Sequence, residues 1–208
     1  MSALVELVYL IKIQNIIESF GDKSNKEINI DKIYSLINCL NEWIYPDIIQ
    51  FLLKSMESNC KPKEKEYSLL LLIKIINEHP NIIKNNLIYI IPVINNLYWD
   101  TKKVIRNLAN QTLSKLLNCN DDNDLEPLLP IILKTFENPE IVPEAIDQLS
   151  KCVFFQKVEC STISIIEPIL VRGLNYKLND VQIKTCIIID NICKRVKYSK
   201  ELISFVSK

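Results

Sequence analysis

Glycine is scarce in this chain of 208 residues, which has glycine only at Gly21 and Gly173. Phosphate-binding loops need glycine for positive backbone φ angles and for close approach of the backbone to the ligand. Neither the GxxxxGK[ST] pattern nor the GxGxxG pattern occurs in the sequence. We therefore expect no nucleotide bound by either device, no cofactor and no small-molecule substrate.

Histidine is represented by His79 alone, and none of the seven cysteines belongs to a CxxC pair. Scattered sulfurs and a single imidazole do not make a zinc site. His79 has no sequence neighbours that suggest a nucleophile or a catalytic carboxylate, so we expect no metal, no catalytic residue and no enzyme activity. An odd number of cysteines without a signal peptide is typical of reduced cytoplasmic thiols. On apolar helix faces these cysteines are expected to act as small buried side chains.

Long hydrophobic runs and an excess of charge are also missing. The apolar run Leu69–Ile73 is far too short to span a membrane, and 25 basic residues balance 25 acidic ones. Apolar residues make up 48% of the chain, which is enough for a sizeable core. The composition predicts a folded cytoplasmic protein with no membrane partner, and we expect it to be monomeric.

Helical periodicity dominates the sequence from end to end. The segment 101–117 places six apolar side chains on one face: Ile105, Leu108, Ala109, Leu113, Leu116 and Leu117. In the same way, the segment 180–196 predicts a buried face of Cys186, Ile189, Ile192, Cys193 and Val196. The pattern predicts ten helices, near residues 3–20, 30–40, 47–58, 63–78, 83–98, 101–117, 124–137, 141–151, 162–175 and 180–196.

Three prolines reveal an internal repeat. Pro92, Pro130 and Pro168 follow one another at intervals of 38 residues, and each has Leu or Ile five residues earlier and apolar residues directly after it. Helix pairs that recur at about 40 residues are typical of HEAT and armadillo solenoids, in which stacked pairs bury a shared core. We predict an all-α fold, a right-handed α-solenoid of about five HEAT-like helix pairs in one domain, 1–208. Its parts are an atypical N-terminal cap (1–45), four repeats (46–80, 81–118, 123–155 and 161–197) and the start of a further helix (198–208).

The stretch YWDTKK, residues 98–103, falls at the turn between the two helices of one repeat. Asp100 is expected to cap the second helix, since a carboxylate accepts hydrogen bonds from free backbone N–H groups. Val104 is expected to point inward and Arg106 to extend toward a neighbouring repeat. Trp99 has two open interpretations, an anchor of the turn or a platform for a ligand.

Three segments carry a resemblance to a known family. LIYIIPVINNLYWDTKKVIRNLA (87–109), DLEPLLPIILKTFENPEIVPEAIDQLSKCVFF (124–155) and TISIIEPILVRGLNYKLNDVQIKTCIIIDNICKRV (162–196) follow one another. Together they resemble the HEAT region of translation elongation factor three, an ABC-type ATPase first known from fungi. The three segments also resemble the same HEAT module in a large activator of the starvation-responsive initiation-factor kinase. The family's nucleotide-binding cassettes have no counterpart in this chain, so the resemblance implies a ribosome-facing scaffold and not ATP hydrolysis.

Basic residues concentrate at the turns and second helices of the predicted repeats. If helix pairs stack regularly, these residues form a ridge that could bind rRNA phosphate, ribosomal proteins or translation factors. The alternatives are an ordinary solvated helix face, or a HEAT interaction scaffold unrelated to translation, such as an adaptor or a tubulin binder. The candidate partner-binding residues are Trp99, Lys102, Lys103, Arg106, Arg172, Lys177, Lys184, Lys194 and Arg195. Lys197 lies close in sequence to Lys194 and Arg195 and belongs to the same basic cluster.

Overall fold

The computed structural model describes residues 3–21, 29–120, 122–152 and 158–196, and these residues fold into ten α-helices. Lys197 and the predicted further helix, 198–208, lie outside the described residues. The first six helices are α1 (Ala3–Glu18), α2 (Ile30–Asn38), α3 (Tyr45–Lys54), α4 (Pro62–Glu78), α5 (Pro80–Leu97) and α6 (Lys103–Leu117). The last four are α7 (Leu129–Glu137), α8 (Val142–Lys151), α9 (Cys160–Leu174) and α10 (Asn179–Arg195).

The chain divides into two compact units, Met1–Cys119 and Asn120–Lys208. In the first unit, the odd-numbered helices α1, α3 and α5 contact one another in succession, and so do the even-numbered helices α2, α4 and α6. In the second unit α7 contacts α9, and α8 contacts α10. Within each unit, first helices therefore stack on first helices and second helices on second helices. The prediction of an all-α fold built from stacked helix pairs is confirmed.

The core of each unit is built from branched aliphatic side chains. In the first unit Leu52, Leu72, Ile91 and Leu113 are completely buried, one from each of four helices. In the second unit the completely buried set includes Ile132, Ile146, Ile166 and Ile169. Burying a side chain of this size contributes about 1.5–3 kcal/mol. One helix pair cannot cover both of its apolar faces, which is why the pairs stack.

The three repeat prolines do not occupy equivalent places. Pro92 lies inside α5 and Pro168 inside α9, whereas Pro130 lies in the first turn of α7. The difference arises because a short 3₁₀ turn, Glu126–Leu128, precedes α7 and takes the place of its first helical turns. A proline in the first turn costs nothing, since the N–H it lacks would have no helical partner there.

Two sequence predictions about burial are wrong. Of the face predicted for α10, Ile192 is buried and Ile189 and Val196 are half-buried, but Cys186 and Cys193 are exposed. The other buried residues of α10 are Val181, Thr185 and Ile188. The other cysteines that were expected to be buried are exposed or half-buried as well: Cys39, Cys60, Cys119, Cys152 and Cys160.

Candidate functional site

The turn between α5 and α6 presents an exposed tryptophan. The side chain of Trp99 keeps 58% of its surface accessible, while Tyr98 beside it is buried. The backbone N–H of Trp99 donates to the carbonyl of Asn96, which holds the start of the turn against the end of α5. The structure thus brings a large aromatic surface into solvent at a fixed point of the fold.

Asp100, the next residue, forms a buried ion pair with Lys65 of α4. Lys65 Nζ lies 2.9 Å from Asp100 Oδ2, and the two side chains are only 9% and 10% exposed. Burial alone would raise the pKa of Asp100. The backbone N–H of Lys102 and the ammonium group of Lys65 outweigh it and hold that pKa below its ordinary value. The pair ties the turn of one repeat to the second helix of the repeat before it.

Asp100 was expected to cap α6, and that expectation needs correction. Its Oδ1 accepts the N–H of Lys102 at 2.9 Å, but Lys102 is the last residue before the helix, which begins at Lys103. Lys102 itself occupies the cap position, with extended backbone angles and no side-chain cap bond. Asp100 therefore closes the turn instead of capping the helix.

Arg106 is a structural part of the same turn. Its Nη1 donates to the carbonyl oxygen of Asp100 at 2.7 Å and to that of Thr101 at 3.0 Å. The expectation that Arg106 extends to a neighbouring repeat is therefore wrong. The expectation for Val104 is also wrong, since its side chain is 53% exposed.

A groove of about 600 Å³ runs between this turn and the preceding turn, which joins α3 to α4. Val93 is half-buried and supplies apolar surface, whereas the lining residues Met56 and Leu97 are almost fully buried. The Lys65–Asp100 pair supplies charges that neutralise each other. The remaining lining residues are Glu57, Ser58, Asn96, Trp99 and Thr101. We call this cavity the turn groove.

Lys102 and Lys103 directly follow Thr101, which lines the turn groove. Both side chains are exposed, and neither forms a hydrogen bond or an ion pair with a described residue. Of the basic residues predicted for a binding surface in the first unit, these two are available to a partner, whereas Arg106 is engaged in its own turn.

Arg172, in the second unit, is also engaged. Its Nη1 donates to the carbonyl of Thr135 at 2.6 Å, and its guanidinium lies 5.6 Å from the centre of the Phe136 ring. The group is partly buried, and burial lowers its pKa. Arg172 joins α9 to α7, so its charge is used within the fold.

The remaining predicted cations fall into two groups. Lys184 forms ion pairs with Asp147 at 2.9 Å and Asp180 at 3.1 Å, which raise its pKa, and Lys194 pairs with Asp190 one turn earlier. In contrast, Lys177 and Arg195 are exposed, and no described residue pairs with their side chains.

The candidate residues are divided between the two units of the chain. Trp99, Lys102, Lys103 and Arg106 belong to the first unit, and the other five belong to the second. The first unit brings its four residues together at one turn, so that turn is the best-defined candidate surface. A single ridge along the whole chain stays a prediction.

Two residues important at this surface, Lys65 and Glu57, were not identified from the sequence. Lys65 lies within the mixed-charge segment KPKEKE, which predicts an ordinary solvated helix start. A sequence signal does exist, because Lys65 and Asp100 are 35 residues apart, which is close to one repeat length. A charge and its opposite at one repeat spacing can meet across stacked pairs.

Groups of metal-binding side chains and membrane-spanning helices are both absent from the described ranges. Over these ranges, His, Cys, Asp and Glu side chains form no group suited to hold a metal ion. None of the ten helices has the length and apolar character needed to cross a bilayer.

Stacked helix pairs, with first helix on first and second on second within each unit, define an α-solenoid of the HEAT class. Comparison with protein families agrees. The model of the EF3 N-terminal HEAT repeat matches residues 1–113, and the Elongation factor 3/GNC1 HEAT repeat model matches residues 140–208. Since the first match spans more than half of the chain, the chain belongs to the EF3 N-terminal HEAT repeat family.

Curated relatives carry the same name. Elongation factor 3 of Pneumocystis carinii is 30% identical over 173 residues, which is 83% of this chain and 17% of the relative. Elongation factor 3 of Zygosaccharomyces rouxii is 28% identical over 93% of this chain and 19% of its own length. Elongation factor 3B of Saccharomyces cerevisiae is 28% identical over 100% of this chain and 20% of its own length. The chain thus spans about a fifth of the length of these relatives.

Proposed function

We propose that this chain is a non-catalytic HEAT module that acts in translation elongation or its regulation by binding the ribosome or a translation factor. Family membership supports the process, since the relatives are elongation factors. The observation that supports the binding surface is the α5–α6 turn, where an exposed Trp99 stands beside two lysines, Lys102 and Lys103, whose side chains pair with no described residue. A cytoplasmic location and a monomeric state belong to the same proposal.

The turn is suited to binding because its shape is fixed before a partner arrives. Asp100 is held by Lys65 and by the N–H of Lys102, and Arg106 holds two carbonyls of the turn. A preorganised surface loses little conformational entropy on association. Lys102 and Lys103 contribute charge without having to break an ion pair with any described residue.

Binding through these lysines has a defined salt dependence. If Lys102 and Lys103 each neutralise one rRNA phosphate, the released counterions make the affinity fall about tenfold between roughly 50 and 200 mM salt. A variant without these two charges should show weaker binding and a flatter salt dependence.

The test is co-sedimentation of the purified chain with purified ribosomes through a sucrose cushion at low and moderate salt. The variant is Lys102→Glu/Lys103→Glu, and Arg106 is left unchanged because its loss would disturb the turn. The matched control is Lys32→Glu/Lys134→Glu, which makes the same charge change at two exposed lysines on α2 and α7 whose side chains pair with no residue that the structure describes.

We expect salt-sensitive pelleting of the wild type and the control, and loss of pelleting in the Lys102/Lys103 variant. Pelleting that survives in this variant would keep the ribosome as partner but remove the turn as its binding surface. Absence of wild-type pelleting at both salt concentrations would refute ribosome binding by this chain and favour a HEAT scaffold unrelated to translation.

A further inference from the structure

The turn groove carries a negative charge, that of Glu57. Glu57, on the α3–α4 turn, is exposed, and its carboxylate forms no hydrogen bond or ion pair with a described residue. Trp99 lines the same groove from the α5–α6 turn. We propose that the turn groove binds an arginine side chain presented by a protein partner, with the guanidinium against Trp99 and Glu57. This inference rests on the proposed function. It specifies that the part of the partner bound in the turn groove is a protein segment.

The charges of the groove favour a cation over a phosphate. Lys65 is already neutralised by Asp100 at 2.9 Å, so the groove lining offers no unpaired positive charge among the described residues. A phosphate in the groove would face the free carboxylate of Glu57 without a cation to compensate. A guanidinium would find that carboxylate as an ion-pair partner.

The shape and chemistry of the lining favour arginine over lysine. The planar guanidinium stacks on an aromatic face, and tryptophan gives the strongest cation–π attraction of the aromatic side chains. Apolar surface from Val93, which is half-buried, can cover part of the methylene chain of an inserted arginine. Further N–H groups of the guanidinium can donate to acceptors on Ser58, Asn96 and Thr101.

Lys102 and Lys103 do not contradict this occupant. The groove lining ends at Thr101 in this turn, and neither lysine belongs to it. The two lysines therefore form a separate basic site beside the groove, free to meet a phosphate or an acidic group. One partner surface can use both, since a ribosome carries phosphates and basic protein segments side by side.

Fluorescence of Trp99 provides the test. The full chain contains two tryptophans, Trp43 and Trp99, so the Trp43→Phe variant leaves Trp99 as the reporter. The probe is a blocked peptide in which three arginines alternate with glycines. The comparison probe replaces each arginine by citrulline, which keeps the shape but removes the charge. A short oligouridylate serves as the RNA probe.

We expect saturable quenching by the arginine peptide and none by the citrulline peptide at the same concentrations. Glu57→Gln should weaken peptide binding about threefold, as is typical of an exposed charge pair. By calorimetry, Trp99→Ala should weaken it about fivefold, through the lost stacking. The matched controls are Glu42→Gln and Trp43→Ala, which lie outside the groove, and Trp43 is also 58% exposed. Both should leave the affinity unchanged.

Equal quenching by the two peptides, or an unchanged affinity in Glu57→Gln, would overturn the proposal. So would saturable quenching by oligouridylate without a response to the arginine peptide, because it would make the groove an RNA site. Ribosome pelleting of the same proteins separates this inference from the proposed function. Pelleting without peptide binding refutes the arginine site alone, and peptide binding without pelleting refutes the ribosome as partner.

Discussion

The buried ion pair between Lys65 and Asp100 makes a sharp prediction about the stability of the first unit. Asp100→Asn keeps an oxygen that accepts the N–H of Lys102, but it leaves the ammonium group of Lys65 buried without a counter-charge. Removing one partner of a buried pair costs about 3–5 kcal/mol. Because each side chain keeps about a tenth of its surface in water, we expect the lower end, about 3 kcal/mol.

Urea unfolding followed by tryptophan fluorescence measures this loss, since Trp43 and Trp99 both belong to the first unit. With a urea slope of about 2 kcal/mol per molar, the unfolding midpoint should fall by about 1.5 M. Asp31→Asn is the matched control, because it breaks the ion pair with Lys74, in which the Asp31 side chain is 79% exposed. That change should cost about 0.5 kcal/mol or less.

A double-mutant cycle and a pH series complete the test. Lys65→Met/Asp100→Asn removes both charges, so its loss should be smaller than the sum of the two single losses by about 2 kcal/mol. The folded pKa of Asp100 lies below its unfolded value, so the stabilisation is complete above about pH 4. It is lost as pH falls through the folded pKa. A midpoint shift below about 0.3 M in Asp100→Asn, or additive single losses, would refute the buried pair.

Three further predictions concern the second unit. Gly173→Ala places a Cβ 2.4 Å from Thr185 Oγ1, so overpacking between α9 and α10 should cost about 1–3 kcal/mol, and an unchanged urea midpoint would contradict this contact. The pKa of Asp147 is lowered to about 2, first by Lys151 and then by Lys184, so the folded state binds fewer protons between about pH 4 and pH 2. Asp147→Asn should therefore be less stable than the wild type at about pH 5, and the gap should close as pH falls to about 2. Arg172→Met should lower stability by about 1–2 kcal/mol through the lost hydrogen bond and leave ribosome pelleting of the folded protein unchanged, whereas lost pelleting at full stability would make Arg172 a binding residue.

The positions of the helices could be predicted because periodicity is a local property. The segment expected at 101–117 is α6, Lys103–Leu117, and the segment expected at 180–196 is α10, Asn179–Arg195. The 38-residue proline spacing likewise identified three first helices, α5, α7 and α9. The family resemblance seen in the sequence is confirmed by the family matches.

The buried face of α10 could not be predicted, because this helix is apolar on more than one side. Ile183 and Ile187 are 60% and 49% exposed, although they are as apolar as the buried Ile188 and Ile192. Periodicity cannot choose between two apolar stripes. The choice is made by contacts with α8 and α9, which the helix's own sequence does not contain.

The sequence also did not predict which basic side chains form contacts within the fold. Lys184 meets Asp147, which lies 37 residues earlier in the chain, and Arg172 meets a backbone carbonyl 37 residues away. Both distances are close to one repeat length, so the partners come from the preceding repeat. Charge counted along one helix therefore overestimates the charge available to a partner, because stacking brings some cations of a repeat, such as Arg172 and Lys184, against oxygens of the preceding repeat.

A charge-reversal variant must be interpreted according to whether the cation is already bonded within the fold or is available to a partner. Reversing Arg106 would place a carboxylate against the carbonyls of Asp100 and Thr101, and lost ribosome binding would then report a distorted turn. Reversing Lys102, four residues earlier, breaks no bond of its side chain. Lys102 and Arg106 are both exposed and lie about one helical turn apart. Substitution of Lys102 nevertheless tests binding, whereas substitution of Arg106 tests the structure of the turn. Trp99 belongs with Lys102, since its exposed side chain lines the turn groove while its backbone alone holds the turn.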